Sequence, residues 1–542
     1  MSQLATASRE ALSEGGALAS QLDNFVPREA QQRLSTAIAD AFDSREVLLA
    51  EAGTGTGKTF AYLVPALLSG LKTIISTGTR ALQDQLYHRD LPRVRNALGT
   101  GLKSALLKGR ANYLCKYRLE QAKGEPQLSK GVYTTREQIS QFQRIVSWGG
   151  RTQFGDMAEL EALPDDSPLL PMVTSTNDNC LGTDCPFWGE CFVVQARQRA
   201  QSADIVVVNH HLLLADLALK QEGFGEILPG AQAFVIDEAH QLPELAANFF
   251  GESFGMRPIQ ELARDCLAEC KEVPGALASL QPPVRALEQS LRELRAGMEG
   301  LPVRGTRFRA LSKPEVREGF DALTGSLRQL LEITVAMADT SPGLDACAAR
   351  AKDASARLAR WLGDDTRADD ERLVDFDDQA PLPSSDVLWY ELTQRGFRCQ
   401  RTPLDVSGPL REHREKSHAS WVFTSATLAV GGSFDHLAVR LGLDDPQTLL
   451  QPSPFDWPKQ ALCYLPQGLP EPNSRGYGTA LIAALYPVLQ ASDGRAFLLF
   501  ASHRALREAA ETLRDAPWPL FVQGEAPRAT LLQRFRESGN GV

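Results

Sequence analysis

Residues 47–70 read VLLAEAGTGTGKTFAYLVPALLSG, and this stretch decides how the chain folds. A short apolar run at 47–50 leads into a glycine-rich segment and then into an apolar sequence with helical periodicity. A strand, a tight turn and a helix in that order are the structural context of a phosphate-binding P-loop. The sequence therefore predicts an α/β fold with a nucleotide site at the carboxyl end of a parallel strand.

The glycine-rich segment matches the pattern AxxxxGKT, with alanine where the pattern usually begins with glycine. Its glycines let backbone N–H groups turn inward around phosphate oxygens. Lys58 is expected to reach the β- and γ-phosphates, and Thr59 to offer its hydroxyl to Mg²⁺. The predicted ATP-binding residues of this loop are Ala52, Gly53, Thr54, Gly55, Thr56, Gly57, Lys58 and Thr59.

A second apolar strand ends in two carboxylates, in the stretch AFVIDEAH at 233–240. Parallel sheets bind ligands at the carboxyl ends of their strands. Asp237 suits a Mg²⁺ ion held through water, and Glu238 suits a general base that polarises the attacking water. An acidic surface turn after a core strand is the alternative, and the P-loop upstream argues against it.

Four further stretches, together with the DEAH sequence, resemble the motifs of superfamily 2 helicases. Motif Ia, the adenine-reading Q motif, motif III and motif IV correspond to TIISTGTRALQDQL (73–86), FVPREAQQRL (25–34), WVFTSATL (421–428) and RAFLLFASHRAL (495–506). The resemblance implies that Gln31 reads adenine. It also implies that His240, Ser425 and Thr427 couple the nucleotide state to the grip on a nucleic acid.

Four of the nine cysteines, Cys115, Cys180, Cys185 and Cys191, lie between motifs Ia and II. Four thiolates can hold either zinc or an iron–sulfur cluster. Zinc sites usually bring cysteines in CxxC pairs, which this sequence lacks, so the spacing favours the cluster and leaves zinc as the alternative.

The position of these cysteines resembles that of the four-cysteine [4Fe–4S] domain in helicases of the XPD/DinG family. The stretch VVVNHHLLLAD at 206–216 also resembles that family. The implied cofactors are ATP, Mg²⁺ and a [4Fe–4S] cluster.

Residues 91–119 contain seven basic side chains and no acidic one. Basic side chains interleaved with tyrosines suit single-stranded nucleic acid, because they pair with phosphates while the rings stack on bases. The predicted DNA contacts are Lys108, Arg110, Tyr113 and Lys116. A solvated basic face is an equally good interpretation of the pattern alone.

The motif order predicts a RecA-like core with two insertions. A helical stripe that includes Leu287, Leu291 and Leu294 predicts a helical insertion, which the resemblance identifies with the family's arch domain. The predicted segments are RecA-like domain 1 at 1–105, 204–245 and 396–450, the cluster domain at 106–203, the arch at 246–395 and a truncated second RecA-like domain at 451–542. In that last segment, strands are predicted near 462, 496–501 and 519–523, and helices are predicted near 478–490, 503–514 and 526–537.

The family places motifs V and VI after motif IV, and these contain arginines that complete the ATP site. No QxxGRxxR-like string occurs before the sequence stops at ESGNGV. An arginine finger is worth roughly 10³–10⁵ in rate. We therefore expect this chain to be a fragment of a longer helicase that binds ATP and DNA but hydrolyses ATP poorly.

The resemblance implies an ATP-dependent DNA helicase that moves 5′ to 3′ on single-stranded or forked DNA, in repair or replication restart, with a replisome accessory subunit as a partner. A DEAH-type RNA helicase is one alternative, and the four-cysteine insertion argues against it. An ATP-binding, DNA-binding or partner-docking module with little hydrolysis is another. A nuclease–helicase fusion is not expected, because only about two dozen residues precede the Q motif.

Composition is that of a globular protein, with 43% hydrophobic residues, a net charge of −10 and a mean hydropathy of −0.22. The N-terminal sequence MSQLATASREALSEGG lacks the apolar core of a signal peptide, and no apolar run is long enough to cross a bilayer. We expect a cytoplasmic protein, in which nine cysteines are not a disulfide framework.

Overall fold

The structure is a computed structural model of the 542-residue chain. It describes residues 2–542 apart from 24, 124–135, 161–162, 164–166, 178, 222–226, 271–272, 364–385, 394–395, 473, 475 and 527. The chain divides into two compact units. The first comprises Met1–Thr134, Trp148–Asp156 and Pro171–Pro454, and the second comprises Thr135–Ser147, Met157–Leu170 and Phe455–Val542.

The described strands all lie in the first unit and form two sheets. In chain order they are β1 (Val47–Ala52), β2 (Thr73–Thr77), β3 (Ser104–Leu106), β4 (Ile205–Asn209), β5 (Ala233–Asp237), β6 (Glu252–Gly255), β7 (Arg304–Thr306), β8 (Asp386–Thr393), β9 (Gly396–Pro403), β10 (Ser420–Ser425) and β11 (Gln447–Gln451).

The larger sheet has seven described strands, all parallel, in the order β11-β1-β10-β5-β2-β4-β3. Strands β2, β4, β5 and β10 are buried at every position, so both faces of the sheet are covered. Because Glu51 is in register with Ser425, and Thr424 with Asp237, the carboxyl ends of β1, β10 and β5 meet at one edge. This confirms the predicted α/β class with a parallel core sheet.

Twelve α-helices are described in the first part of the chain, up to residue 249. They are α1 (Gln3–Ala11), α2 (Ala17–Gln21), α3 (Glu29–Ser44), α4 (Lys58–Leu68), α5 (Arg80–Gln85), α6 (Leu91–Leu98), α7 (Lys116–Lys123), α8 (Arg136–Gly149), α9 (Leu170–Val173), α10 (Phe192–Gln201), α11 (His210–Gln221) and α12 (Leu242–Phe249). A π-helical turn, Leu86–Asp90, joins α5 to α6.

The later helices are α13 (Met256–Glu269), α14 (Ala276–Gly297), α15 (Arg307–Leu311), α16 (Pro314–Ala336), α17 (Pro342–Leu362), α18 (Ser407–Ser417), α19 (Asp435–Leu441), α20 (Trp457–Gln460), α21 (Tyr477–Ser492), α22 (His503–Thr512) and α23 (Arg528–Ser538). Short 3₁₀ helices cover Arg110–Asn112, Met157–Glu159, Gly182–Asp184, Trp188–Glu190, Ala239–Gln241 and Ala338–Thr340.

Helices α13, α14, α16 and α17 share one hydrophobic core with a four-stranded antiparallel sheet, ordered β6-β9-β8-β7. The predicted stripe of Leu287, Leu291 and Leu294 is fully buried there, because those positions share one face of α14. The sequence did not predict this sheet. Strands β8 and β9 pair with each other, so the predicted boundary between 395 and 396 falls within a hairpin.

The second unit contains α21, α22 and α23 around a small core that includes Ile482, Leu489 and Trp518. These helices agree with the helices predicted near 478–490, 503–514 and 526–537. The strands predicted near 462, 496–501 and 519–523 are wrong, because none of these segments is a strand in the described structure. A strand needs a neighbouring strand with which it forms a ladder of hydrogen bonds. Among the described residues, Phe521 N donates to Val542 O at 2.9 Å, and this bond alone does not form such a ladder.

Candidate nucleotide site and cysteine lobe

The P-loop lies between β1 and α4, as the sequence predicts for a strand–turn–helix unit. Gly55 and Gly57 have φ values of 89° and 81°, which side chains other than glycine rarely adopt. A Cβ atom on Gly57 would lie 2.3 Å from Gln31 Nε2, so this position has no room for a side chain. Helix α4 begins directly after Gly57, and its amino end therefore faces the turn.

Side chains from three parts of the first unit hold the loop. Lys58 Nζ donates to Ala52 O at 3.1 Å, across the mouth of the turn. Arg28 Nη1 donates to Gly55 O at 2.8 Å, and Ser453 Oγ donates to Thr54 O at 2.8 Å. The sequence reasoning missed Arg28 and Ser453, although Arg28 lies within the Q-motif stretch.

Asp237 ends β5 and is buried beside the P-loop lysine. Tyr62, a fully buried residue of α4, donates its hydroxyl to Asp237 Oδ2 at 3.1 Å. Burial and the charge of Glu238 raise the pKa of Asp237 to about 6, against the opposing effect of Lys58. A carboxylate in this environment favours a nearby cation, because a cation offsets the cost of its burial.

Glu238 connects the nucleotide site to β10. It has a left-handed backbone conformation, with φ 57°, and its Oε2 accepts a hydrogen bond from Ser425 Oγ at 3.0 Å. His240 Nδ1 lies 2.8 Å from the same Ser425 oxygen and 3.4 Å from Glu238 Oε2. Thr427 N donates to Ser425 Oγ at 3.4 Å. The structure thus brings together the three residues predicted to couple nucleotide state to DNA.

Glu51 is a further residue of this region that the sequence reasoning missed. It is in register with Ser425, and its Oε2 accepts hydrogen bonds from Leu428 N and Ala429 N, both at 2.6 Å. Position 51 alone gives no signal, since an acidic residue inside an apolar strand has many explanations. The carboxylate fixes the backbone that follows motif III against the strand that leads into the P-loop.

A cavity of about 360 Å³ opens beside the P-loop. It is lined by residues of the Q-motif stretch, of the P-loop helix and of the α5–α6 region: Leu22, Asp23, Phe25, Val26, Arg28, Gln31, Gly57, Thr59, Phe60, Gln85, Arg89, Asp90 and Arg93. The Gln31 side chain is buried and donates from Nε2 to Gly57 O at 2.9 Å, while its Oε1 has no hydrogen-bond partner in the described structure.

The cysteine lobe comprises the described residues of 108–123, 148–156 and 171–203, all in the first unit. Its four predicted ligands are partly exposed free thiols that influence one another. Burial raises the pKa of Cys115, and the neighbouring Cys180 and Cys185 raise it further. Burial also raises the pKa of Cys185, as do Cys180 and Cys191. Within the described residues, no group of three or more Cys, His, Asp or Glu side chains has the arrangement of a metal site.

Two of the four predicted DNA contacts are wrong as surface contacts. Lys108 and Tyr113 are each only 4% exposed, and Lys108 Nζ lies 2.7 Å from both Asp84 and Asp156. The sequence pattern failed because the compensating carboxylates come from outside the acid-free stretch.

The other two predicted DNA contacts are partly exposed and have partners. Arg110 donates from Nη1 to Cys180 Sγ at 3.1 Å and from Nε to Asn177 Oδ1 at 3.0 Å. Lys116 Nζ lies 2.5 Å from Glu190 Oε2. Both side chains therefore interact within the cysteine lobe.

Comparison with known proteins gives three kinds of match. The DEAD/DEAH box helicase family matches residues 28–152. The ATP-dependent DNA helicase YoaA of Escherichia coli K12 is 40% identical over 528 residues, which cover 97% of this chain and 80% of that protein. The chain belongs to the YoaA/DinG helicase family.

Other similarities within and beyond the YoaA/DinG family extend over most of the chain. YoaA of Haemophilus influenzae is 37% identical over 97% of this chain and 79% of its own length. DinG of Mycobacterium tuberculosis H37Rv is 32% identical over 94% of this chain and 76% of its own length. A solved structure titled "XPD_Helicase" covers 95% of this chain and 79% of its own, with 15% identity and a TM-score of 0.49. Among the described helices, none has the length and apolar character that crossing a membrane requires.

Proposed function

We propose that this protein is an ATP-dependent DNA helicase of the iron–sulfur type in superfamily 2, moving 5′ to 3′ on single-stranded or forked DNA. The observation that carries the proposal is the meeting of Lys58, Asp237 and Glu238 at one edge of the parallel sheet. There Glu238 also contacts Ser425 of motif III. Similarity to the two YoaA proteins named above, each called an ATP-dependent DNA helicase, supports DNA as the substrate.

Lys58 and Glu238 have different proposed roles in ATP hydrolysis. Lys58 is positioned to bind the β- and γ-phosphates, since its amine already lies across the mouth of the turn. Glu238 takes the proton of the attacking water as general base. Its contacts with Ser425 and His240 then make the position of β10 sensitive to whether the phosphate is present.

Thr59 and Asp237 fit a Mg²⁺ site, because a buried carboxylate with a raised pKa lies next to the tyrosine that also contacts Thr59. When bound, Mg²⁺ supplies positive charge to the β- and γ-phosphate oxygens. Gln31 is the proposed adenine reader, since its buried Oε1 faces no other donor and adenine offers an exocyclic amine. The base pocket is the cavity beside the P-loop.

We further propose that Cys115, Cys180, Cys185 and Cys191 hold a [4Fe–4S] cluster. The chemistry of the donor set fits. Besides burial, Cys180 and Cys185 raise the pKa of Cys115, and Cys180 and Cys191 raise the pKa of Cys185. A bound cation would relieve both of these effects of neighbouring thiols. The cluster supplies a rigid cross-link that folds the lobe around it. Zinc remains the competing occupant for four thiolates.

We propose a cytoplasmic location and a role in DNA repair or replication restart, with a replisome accessory subunit as partner. Family membership supports the proposed location, since an ATP-dependent DNA helicase acts on chromosomal DNA.

Unwinding of labelled forks tests the proposal directly. Anaerobically purified protein is mixed with ATP, Mg²⁺ and a DNA duplex that carries a 5′ tail, a 3′ tail or an RNA tail. We expect slow ATP-dependent unwinding of the 5′-tailed DNA and none by a Lys58→Ala variant. Preference for RNA would favour the DEAH RNA helicase, and ATP binding without turnover would favour a DNA-binding module with little hydrolysis.

A further inference from the structure

Lys108 is an almost fully buried ammonium group outside the nucleotide site. Its Nζ lies 2.7 Å from Asp84 Oδ1 and 2.7 Å from Asp156 Oδ2, and its side chain is 4% exposed. A buried ion pair contributes little net stability, because desolvation of the charges offsets their attraction. Its best-attested use is to fix one arrangement of the parts that it joins.

The three residues of this Asp84–Lys108–Asp156 triad come from three different parts of the first unit. Asp84 lies on α5, within motif Ia. Lys108 follows β3 at the start of the cysteine lobe, and Asp156 lies on a later segment of that lobe. The triad therefore attaches the cysteine lobe to the motif Ia helix.

The lobe side of the triad leads directly to Cys115. Tyr113 is bridged to Asp156, and its hydroxyl accepts a hydrogen bond from Lys108 N at 3.1 Å. Leu114 N donates to Gly155 O, and Cys115 N donates to Val173 O, both at 2.8 Å. A shift of Asp156 would therefore move the backbone that carries the first cysteine.

The other side of the triad leads to motif II. Gln241, which follows the DEAH sequence, packs on Gly78 so closely that a Cβ atom there would lie 2.4 Å from its Oε1. Gly78 immediately precedes Thr79, which caps α5. Within α5, the buried Gln83 donates to Leu107 O at 2.9 Å, next to Lys108. Gly78, just before the cap of α5, thus contacts Gln241 directly after motif II, and α5 itself contacts the start of the lobe.

We propose that the Asp84–Lys108–Asp156 triad is a positioning device that makes the cysteine lobe move together with α5. A change of nucleotide at motif II then shifts the backbone at Cys115. The inference rests on the proposed function, because coupling of the lobe to the nucleotide is useful only in an ATP-driven helicase. Its physical basis is a contiguous set of packed and hydrogen-bonded groups between two sites. The triad residues are positioning residues, because none of them touches nucleotide.

Hydrogen exchange measures this coupling without needing helicase activity. The exchange of the Leu114 and Cys115 amides is compared with ADP and with a non-hydrolysable ATP analogue, in cluster-loaded protein. We expect a nucleotide-dependent difference in the unaltered protein, and its loss in an Asp84→Asn/Asp156→Asn variant. The rate of ATP turnover without DNA and the iron content per chain should stay within about twofold, while base pairs unwound per ATP fall about fivefold or more.

Two further variants separate positioning from folding. Glu412→Gln removes a carboxylate from an exposed pair with Lys416 on α18, and it should leave every readout unchanged. If the double variant folds poorly, the neutral triad Asp84→Asn/Lys108→Met/Asp156→Asn should restore stability, because the buried position 108 then carries no unpaired charge, and it should still lack the exchange response.

The inference is overturned if the unaltered protein shows no nucleotide-dependent exchange at these amides. It is also overturned if the variants keep that response, or lose it only in proportion to lost iron. An exchange response in a protein that fails to unwind DNA would refute the proposed function while leaving the triad's role intact.

Discussion

At the scale of single residues, the nucleotide site combines a local glycine-rich pattern with contacts from distant strands. The pattern ending in Lys58 and Thr59 depends on local chemistry, since a turn around phosphate needs glycine and a lysine at fixed spacing. Tyr62 and Glu51 were not predictable, because they act through contacts with strands that are distant in sequence. Such partners follow only from the register of the sheet.

Replacing Lys58 with alanine should reduce DNA-stimulated ATP turnover by at least about 100-fold, because the β- and γ-phosphates lose the lysine ammonium group. The loss is measured as steady-state phosphate release at saturating DNA. Lys459→Ala, which removes an exposed lysine paired with Asp456, is the control and should keep full turnover. Retained activity in Lys58→Ala would show that the P-loop assignment is wrong.

Gln31→Ala should raise the KM for ATP by about 3- to 10-fold and weaken the preference for ATP over GTP, since one hydrogen bond to the base is lost. The adjacent Gln32 donates to Leu12 O at 3.1 Å, away from the cavity, so Gln32→Ala serves as a matched control. Steady-state turnover with each nucleotide measures both values. An unchanged ATP-to-GTP ratio would contradict the assignment of the base pocket.

His210 should make the first unit sensitive to acid. Burial lowers the pKa of His210 to about 4 from its ordinary 6.5, and its Nδ1 lies 2.7 Å from Ser76 Oγ. The unfolded chain therefore binds a proton between these values while the folded chain does not. The contribution of neutral His210 to the free energy of unfolding is fully present above pH 6.5 and is lost as the pH falls towards 4. At roughly pH 5 the free energy of unfolding is lower by about 2 kcal/mol.

Urea unfolding of the first unit at neutral pH and at roughly pH 5 measures this effect. His210→Gln should reduce the pH dependence, because glutamine can still bond to Ser76 but does not titrate in this range. His413, whose pKa burial also lowers to about 4, keeps its own contribution. His88→Gln changes an exposed histidine and should leave the dependence as it is. Equal acid sensitivity in the His210→Gln protein would assign the effect to other groups.

At the scale of elements, the cysteine lobe shows where sequence patterns succeed and where they fail. The run from 91 to 119 has no acidic residue, yet Lys108 is neutralised by carboxylates from α5 and from a later part of the lobe. A charge pattern describes only its own segment, whereas burial depends on what the fold places against it. The same limit explains the unforeseen antiparallel sheet, since β6 pairs with a strand far along the chain.

Protein purified without oxygen should be brown and contain about four iron and four sulfide per chain, as expected for a cluster held by four cysteines. Cys185→Ser should lower the iron content and increase proteolysis within the lobe, because the cross-link is weakened. Cys463→Ser changes an exposed cysteine in the second unit and is the control. A colourless protein with stoichiometric zinc would replace the cluster assignment and leave the nucleotide site unaffected.

At the scale of the whole molecule, the sequence predicted the class of the core sheet, and it predicted helices in the arch insertion and in the second unit. Strands β1, β2, β4, β5 and β10 were predictable because buried parallel strands are continuous apolar runs. Contacts between insertions were not predictable. Helix α7 follows Cys115, and its Tyr117 and Gln121 bond to Glu269 of α13 at 2.7–2.9 Å.

These contacts should make the helical insertion and the cysteine lobe stabilise each other. Glu269 is buried and accepts hydrogen bonds from both Tyr117 and Gln121. Replacing it with alanine leaves two donors without their acceptor, at a cost of about 2 kcal/mol. Glu261→Ala, on the same helix but paired with the exposed Arg257, should cost less than about 1 kcal/mol.

Calorimetry of the two variants, with hydrogen exchange resolved to α7 and α13, tests this mutual support. In Glu269→Ala we expect faster exchange in both helices and a thermal midpoint lower by a few degrees. Because α7 directly follows Cys115, the same variant should also release iron faster to a chelator. Faster exchange in α13 alone would mean that the two insertions fold independently of each other, and that the polar contacts between them add nothing to the lobe.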